Sequence, residues 1–158
     1  MKMETLLVPL DGSTLAECAL PRATEMARAT GARLILLRAV QAHTFPGADP
    51  IPAQVDAVRE AEAYLTGVAE RLGALGVTQI TRSVWYGPAA AAIVEAAQFN
   101  HAGLIVMTTH GRTGVGRLVL GSVAESVLRG TTVPILVVRD TDAPLETPAG
   151  TVAVASHA

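Results

Sequence analysis

A glycine-rich segment that ends at residue 122 contains the residues best suited to bind an anion. It follows the apolar run 104–107, which is typical of a strand buried on both faces, and it holds Gly111, Gly114 and Gly116. The segment closes with Gly121 and Ser122, where a helical pattern begins. Strand, glycine-rich loop and helix N-terminus in this order can bring the N–H groups of Ser122 and Val123 and the Ser122 hydroxyl onto a phosphate oxygen. Many glycine-rich turns bind nothing, and the pattern alone leaves that alternative open.

The spacing differs from those of two well-known phosphate-binding motifs. Gly111 and Gly116 are separated by four residues, as in a Walker A loop, but Arg117 and Leu118 follow instead of Lys-Ser or Lys-Thr. The dinucleotide fingerprint Gly-x-Gly-x-x-Gly is also missing from this segment. The chemistry indicated is therefore phosphate binding by backbone groups, without a catalytic lysine.

Two further polar residues are candidates for the same site. Asp11 follows the apolar run 5–10 and begins an Asp-Gly-Ser sequence, so it either contacts a ligand or caps a turn. His110 lies beside the predicted phosphates, where it either donates to them or is simply solvated. The other histidines show no metal-ligand spacing, and no nucleophile with a base or pair of carboxylates can be assembled near the loop. We therefore predict no metal site from protein ligands alone and no dedicated catalytic site.

Composition limits the class of protein. The 158 residues suit one domain, with half of them hydrophobic and 3% aromatic, which predicts a core of aliphatic side chains. A formal charge of −2 without a basic cluster argues against nucleic acid as a partner. One cysteine, no signal peptide and no apolar run of about 20 residues favour the cytoplasm and argue against a membrane partner.

The elements that position these residues alternate between strand and helix. We predict strands at 5–10, 34–40, 78–86, 104–107 and 134–138, and helices at 14–30, 53–75, 89–99 and 123–129. Pro21 should kink the first helix or mark a locally unbonded turn in it, and residues 41–52 should form a loop. This alternation predicts an α/β fold: a doubly wound, five-stranded parallel sheet in strand order 3-2-1-4-5, with helices on both faces in three layers.

The predicted topology also places the site. Ligands of doubly wound folds bind at the carboxyl ends of the strands where the strand order reverses, here between strands one and four. Asp11 should therefore face the glycine-rich loop. We assign residues 1–139 to one domain that contains this site and residues 140–158, which lack a helical period, to a disordered tail.

Three segments give the chain a resemblance to the universal stress protein family. They are LLVPLDGS, VMTTHGRTGVGRLVLGSVAESVLR and VPILVVR, and the similarity runs in order over residues 4–139. Members that bind ATP carry G-x2-G-x9-G-[ST], which falls here on Thr108, Gly111, Gly121 and Ser122. Thr108 departs from the first glycine of that motif, and it is tolerable only if its side chain points away from the ligand.

The resemblance implies an ATP-binding module. Asp11 and Val40 would contact the nucleoside, Val40 through its backbone at the adenine, and a Mg²⁺ ion would come with the nucleotide, with Ser122 as a candidate ligand. The full implied set is Pro9, Leu10, Asp11, Val40, Met107, Thr108, His110, Gly111, Gly121, Ser122 and Val123.

The last strand is expected to form a dimer interface. Its β-prone sequence would leave an exposed edge, which proteins usually cover or pair. In the family that the chain resembles, this strand pairs antiparallel with its copy in a second subunit. The residues concerned are Pro134, Ile135, Leu136, Val137 and Val138.

These expectations combine into a stress-response or signalling protein of the cytoplasm, a homodimer whose nucleotide-bound or empty state is recognised by other proteins. Two alternatives stay open. One is a slow ATPase or nucleotide-processing enzyme. The other is a structural or signalling dimer without nucleotide, which the threonine at position 108 would favour.

Overall fold

The computed structural model describes residues 3–109 and 120–140. In chain order its elements are β1 (Thr5–Pro9), α1 (Thr14–Glu17), α2 (Leu20–Thr30), β2 (Arg33–Val40), α3 (Pro50–Ala74), β3 (Ile80–Tyr86), α4 (Ala89–Phe99), β4 (Leu104–Thr108), α5 (Ser122–Gly130) and β5 (Ile135–Val138). The predicted tail lies outside the described residues from residue 141 onward. The glycine-rich loop lies outside them from His110 through residue 119.

The five strands form one parallel sheet in the order β3-β2-β1-β4-β5. β1 is the central strand, and its Leu6 is in register with Leu34 of β2 and with Leu104 of β4. The order reverses between β1 and β4, as the sequence predicts. The doubly wound α/β fold is therefore confirmed.

The core consists of two aliphatic layers, one on each face of the sheet. Alternate strand residues such as Leu6 and Leu36 pack with α2 and α3, while Leu7 and Ile105 pack with α4 and α5. The strand residues in both layers are buried, and the four named here have no exposed surface. Because both faces are covered, the carboxyl ends of the strands are held in fixed positions.

Pro21 divides the first predicted helix into two. Proline has no N–H to donate to the carbonyl four residues earlier, which here belongs to Glu17, the last residue of α1. A new helix, α2, starts at Leu20 with Pro21 in its first turn and ends at Thr30, and its C-cap Gly31 has a left-handed φ of 71°. The sequence predicts a kink or a locally unbonded turn at this proline. The structure has such a turn, because Cys18 and Ala19 keep right-handed helical φ and ψ while their N–H groups donate to the carbonyls three residues earlier.

The third helix begins earlier than predicted. It starts at Pro50 instead of residue 53, so the loop before it ends at Asp49. The Asp49 carboxylate accepts a hydrogen bond from the N–H of Ile51 at 3.0 Å and caps the helix. Prolines 50 and 52 were expected to belong to the loop, but the first turn of a helix tolerates proline because its N–H groups need no partner within the helix.

The two outer strands of the sheet are β3 and β5. β5 has half-buried residues except for Val137, whose exposed fraction is 38%. None of the helices in the described ranges is both long enough and apolar enough to cross a membrane.

Candidate functional site

A cleft opens at the carboxyl ends of β1 and β4, between α1 on one side and α4 and α5 on the other. The cleft is open to solvent, and its interior offers about 140 Å³ of space to water-sized groups. The residues that line it are Pro9, Leu10, Asp11, Ser13, Leu15, Ala16, Leu37, Ala39, Ala89, Ile93, Met107, Thr108, Gly121, Ser122, Val123 and Ala124. The cleft therefore lies where the reversal of strand order places a ligand site.

Most residues of the predicted nucleotide site meet in this cleft. They are Pro9, Leu10, Asp11, Met107, Thr108, Gly121, Ser122 and Val123. Val40 is not among the lining residues: its side chain is buried, and its carbonyl accepts a hydrogen bond from the N–H of Gly87 at 2.9 Å. Its neighbour Ala39 lines the cleft instead. His110 and Gly111 lie outside the described residues.

Asp11 belongs to the turn between β1 and α1. Its Oδ1 accepts a hydrogen bond from the N–H of Ser13 at 2.8 Å, and the Ser13 hydroxyl accepts one from the N–H of Ala16 at 3.1 Å. Asp11 therefore has the turn-capping role that the sequence allows. A carboxylate accepts several hydrogen bonds, so this one leaves capacity for ligand hydroxyl groups in the cleft.

The N-terminus of α5 forms the opposite side. Gly121 is the N-cap residue, with φ −58° and ψ 156°, and as a glycine it has no side chain to cap the helix. Ser122 and Val123 are exposed and line the cleft. Because the first N–H groups of a helix have no partner within it and carry partial positive charge, this end of the cleft suits an anion.

Thr108 is the last residue of β4 and lines the cleft. Among the non-glycine residues in the two described ranges, positive φ occurs at His101, so Thr108 has ordinary extended geometry. Side chains alternate along a strand, which places Thr108 on the face of Val106 and opposite to Met107. The backbone here does not need the conformational freedom of glycine.

The apolar wall of the cleft was not predicted from the sequence. Leu37 and Ala39 come from the end of β2, and Ala89 and Ile93 come from α4. In the sequence these residues look like ordinary core positions of a strand and a helix. Only the register of β2 beside β1 brings them to the cleft.

The described residues provide no evident metal centre. In the ranges 3–109 and 120–140, no three histidine, cysteine, aspartate or glutamate side chains lie close enough together to hold an ion.

Fold and cleft together define a doubly wound α/β protein with an open cleft at its topological switch point. A family model described as the universal stress protein family matches residues 2–139. The chain belongs to that family.

Individual relatives agree with this assignment. A Staphylococcus aureus (strain USA300) protein assigned to the same family is 30% identical over 146 residues, which cover 90% of this chain and 88% of the relative. A universal stress protein crystallised in complex with cAMP is 30% identical, with a TM-score of 0.70 over 87% of this chain and 98% of its own. UspA from Lactobacillus plantarum, 23% identical, has a TM-score of 0.74 over 88% and 99% and supports the fold.

Proposed function

We propose that the protein is an adenine-nucleotide-binding module, with ATP as its ligand, and that the cleft between α1 and α5 is the nucleotide site. The observation that carries the proposal is that Asp11 on one side of the cleft faces the N-terminus of α5 on the other, where Ser122 and Val123 are exposed. A relative of 30% identity that binds cAMP supports an adenine nucleotide as the class of ligand.

The cleft offers a separate environment to each part of a nucleotide. Leu37, Ala39 and Ile93 form an apolar wall suited to a base. Asp11 can accept hydrogen bonds from ribose hydroxyls, and the N–H groups of Ser122 and Val123 suit phosphate oxygens.

Charge balance at the phosphates would need cations. No lysine, arginine or histidine is among the described lining residues, while the sequence places His110, Arg112 and Arg117 in the segment outside them. A Mg²⁺ ion bound through the phosphates, with the Ser122 hydroxyl as a candidate ligand, would supply further positive charge. The residues present fit such a group, because the hydroxyl is exposed at the phosphate end of the cleft.

We further propose a homodimer formed through residues 134–138. β5 is an outer strand of the sheet, and the exposed fraction of Val137 is 38% on that strand. A charged side chain at the centre of a paired edge should prevent pairing, so Val137→Arg is expected to give a monomer in sedimentation velocity. Leu75→Arg, at an exposed position after α3, is the control that should stay dimeric. A dimer of unchanged mass in Val137→Arg would place the interface elsewhere.

In this proposal the protein acts in the cytoplasm, in stress response or signalling, and binding is its function instead of turnover. Other proteins would recognise its bound or empty state. Because the Asp11 carboxylate already accepts the N–H of Ser13, we assign it to ligand hydroxyl groups and not to activation of a water molecule.

The direct test is the nucleotide content of the purified protein. Protein desalted and then denatured should release an adenine nucleotide that mass spectrometry identifies. For emptied protein, Mg-ATP at 100 times its Kd should add about 2.7 kcal/mol of stability and raise Tm by roughly 5–10 °C. No released nucleotide together with an unchanged Tm would contradict the proposal.

A further inference from the structure

Two side-chain hydrogen bonds join α1 to the long helix α3, and both end on Glu17. The Tyr64 hydroxyl donates to Oε1 of Glu17 at 2.9 Å, and the Arg71 guanidinium donates to Oε2 at 2.9 Å. The Glu17 side chain is 23% exposed, so this contact is partly shielded from water. We call Glu17, Tyr64 and Arg71 the α1 anchor.

α1 has few buried contacts of its own. The four-residue helix contains no buried residue, although Ala16 is partly buried against the core and Ala19 and Leu20 are buried just after the helix. Pro21 removes a hydrogen bond from the helical ladder, so α1 is joined to α2 through a tighter turn and not through a continuous helix. A helix this short has no stability of its own and depends on tertiary contacts.

The same short helix provides one wall of the cleft. Ser13, Leu15 and Ala16 line it, and Glu17 is the next residue along the chain. Any movement of α1 therefore changes the width of the cleft.

Tyr64 connects the anchor to the turn before α1. The guanidinium carbon of Arg38 lies 5.0 Å from the centre of the Tyr64 ring, and the guanidinium also approaches Glu60 at 3.5 Å. A Cβ atom at Gly12, which has φ +87°, would lie 3.5 Å from the Arg38 side chain. Tyr64 thus touches Glu17 at the end of α1 and the arginine that packs beside Gly12.

We infer that Glu17 and Tyr64 are positioning residues of the nucleotide site, which hold α1 in the arrangement that binds the ligand. This inference rests on the proposed function of the cleft. If α1 without its anchor adopts the binding arrangement only about 10–20% of the time, the apparent Kd rises by roughly 5- to 10-fold.

The protonation state of Tyr64 suits this role. Burial, and then the hydrogen bond and charge of Glu17, raise the pKa of the Tyr64 phenol above its usual range, against the opposing charges of Arg38 and Arg71. The phenol therefore stays protonated throughout the physiological pH range and can donate its hydrogen bond to Glu17.

The test separates the position of α1 from ligand binding. Glu17→Ala, Tyr64→Phe and the double variant are compared with Glu25→Ala, which removes an exposed ion pair with Arg22 on α2 and leaves α1 untouched. Amide hydrogen exchange of residues 14–19 is measured without ligand, and calorimetry with Mg-ATP gives Kd.

We expect faster exchange in residues 14–19 and a Kd raised about 5- to 10-fold in Glu17→Ala, with neither change in Glu25→Ala. Tyr64→Phe should show a smaller effect in the same direction, because Arg71 still holds Glu17. The double variant should be no worse than Glu17→Ala, since the two residues act through one contact.

Each failure has a separate meaning. Wild-type protein that does not bind Mg-ATP would contradict the proposed function, whatever the exchange data show. Unchanged exchange in Glu17→Ala would overturn the anchor itself, with or without a ligand. Faster exchange with an unchanged Kd would show that α1 is anchored by Glu17 but does not shape the site.

Discussion

Two helix N-termini face the same cleft, and they differ in how they are capped. At α1, the Ser13 hydroxyl accepts the N–H of Ala16 and the Asp11 carboxylate accepts the N–H of Ser13. At α5, the N-cap is Gly121, which has no side chain to offer. The turn before α1 therefore satisfies the N–H groups of Ser13 and Ala16 with its own side chains, whereas the N-cap residue of α5 cannot do so.

The two helices also differ in what holds them. α5 buries Ala124 and Val127 in the core layer it shares with α4, whereas α1 buries no residue and is tied to α3 through Glu17. At the predicted phosphate end of the cleft, α5 is thus held by buried apolar side chains. At the opposite end, α1 depends more on polar contacts. We expect substitutions at the two ends to affect stability and binding in different proportions.

The largest effect is expected from Gly121→Val. The backbone of Gly121 has φ −58° and ψ 156°, which any residue adopts, so the main consequence is a side chain in the space proposed for phosphate. Loss of about 3 kcal/mol of phosphate contacts would weaken ATP binding roughly 100-fold in calorimetry. Gly73→Val, at a glycine of α3 with open space around it, should bind like the wild type. Equal binding by Gly121→Val and the wild type would place the site elsewhere.

Two serine variants should distinguish the capping role at α1 from the proposed phosphate contact at α5. Ser13→Ala removes a cap and should cost about 1 kcal/mol of unfolding free energy. Ser122→Ala removes no cap and should leave stability nearly unchanged, but loss of a hydroxyl contact to phosphate should raise Kd about 5- to 10-fold. Urea unfolding and calorimetry on both variants check this. The contrast between the two helices would be wrong if Ser122→Ala lost stability and kept its affinity.

High pH should weaken the α1 side specifically. The folded state raises the pKa of Tyr64, so above the unfolded value of about 10 the folded protein binds more protons and stability falls as pH increases. The stabilising contribution is fully present below that value. The free energy of unfolding should therefore fall more steeply between pH 9.5 and 11 in the wild type than in Tyr64→Phe. The difference between the two slopes should be at most about that expected for the release of one proton. Parallel pH profiles for the two proteins would count against this assignment.

The smallest effect is expected at Thr108. Its backbone has the extended geometry of an ordinary strand residue, so the position does not require the conformational freedom of glycine. Restoring the family glycine with Thr108→Gly should change the Kd for ATP by no more than about 2- to 3-fold, which is within 1 kcal/mol. A gain of 100-fold in calorimetry would show that the threonine obstructs the site.

Much of this arrangement could be read from local patterns. Apolar runs followed by turn residues predict the parallel sheet and its switch point, and these bring Asp11 beside Gly121 and Ser122. The place of Ala39 at the cleft could not be predicted, because it depends on how β2 lies beside β1, and the backbone contact expected of Val40 stays a prediction.

Long-range polar contacts were beyond sequence patterns altogether. Glu17 lies 47 residues from Tyr64 and 54 from Arg71, and each of the three looks like an ordinary surface residue of an amphipathic helix. The start of α3 was missed because prolines 50 and 52 indicate a loop as readily as a first turn. Of these two features, only the start of α3 could have been predicted by short-range rules, through the capping role of Asp49.

The central claim is that the N-terminus of α5 binds the phosphates while that of α1 is capped by side chains of its own turn. Amide NMR spectra recorded during a titration with Mg-ATP test this claim most directly. The N–H signals of Ser122 and Val123 should shift with the ligand in a saturable way, while that of Ala16, which is bonded to the Ser13 hydroxyl, should move much less. Signals of Ser122 and Val123 that stay in place at millimolar Mg-ATP, or that move less than the signal of Ala16, would contradict the account.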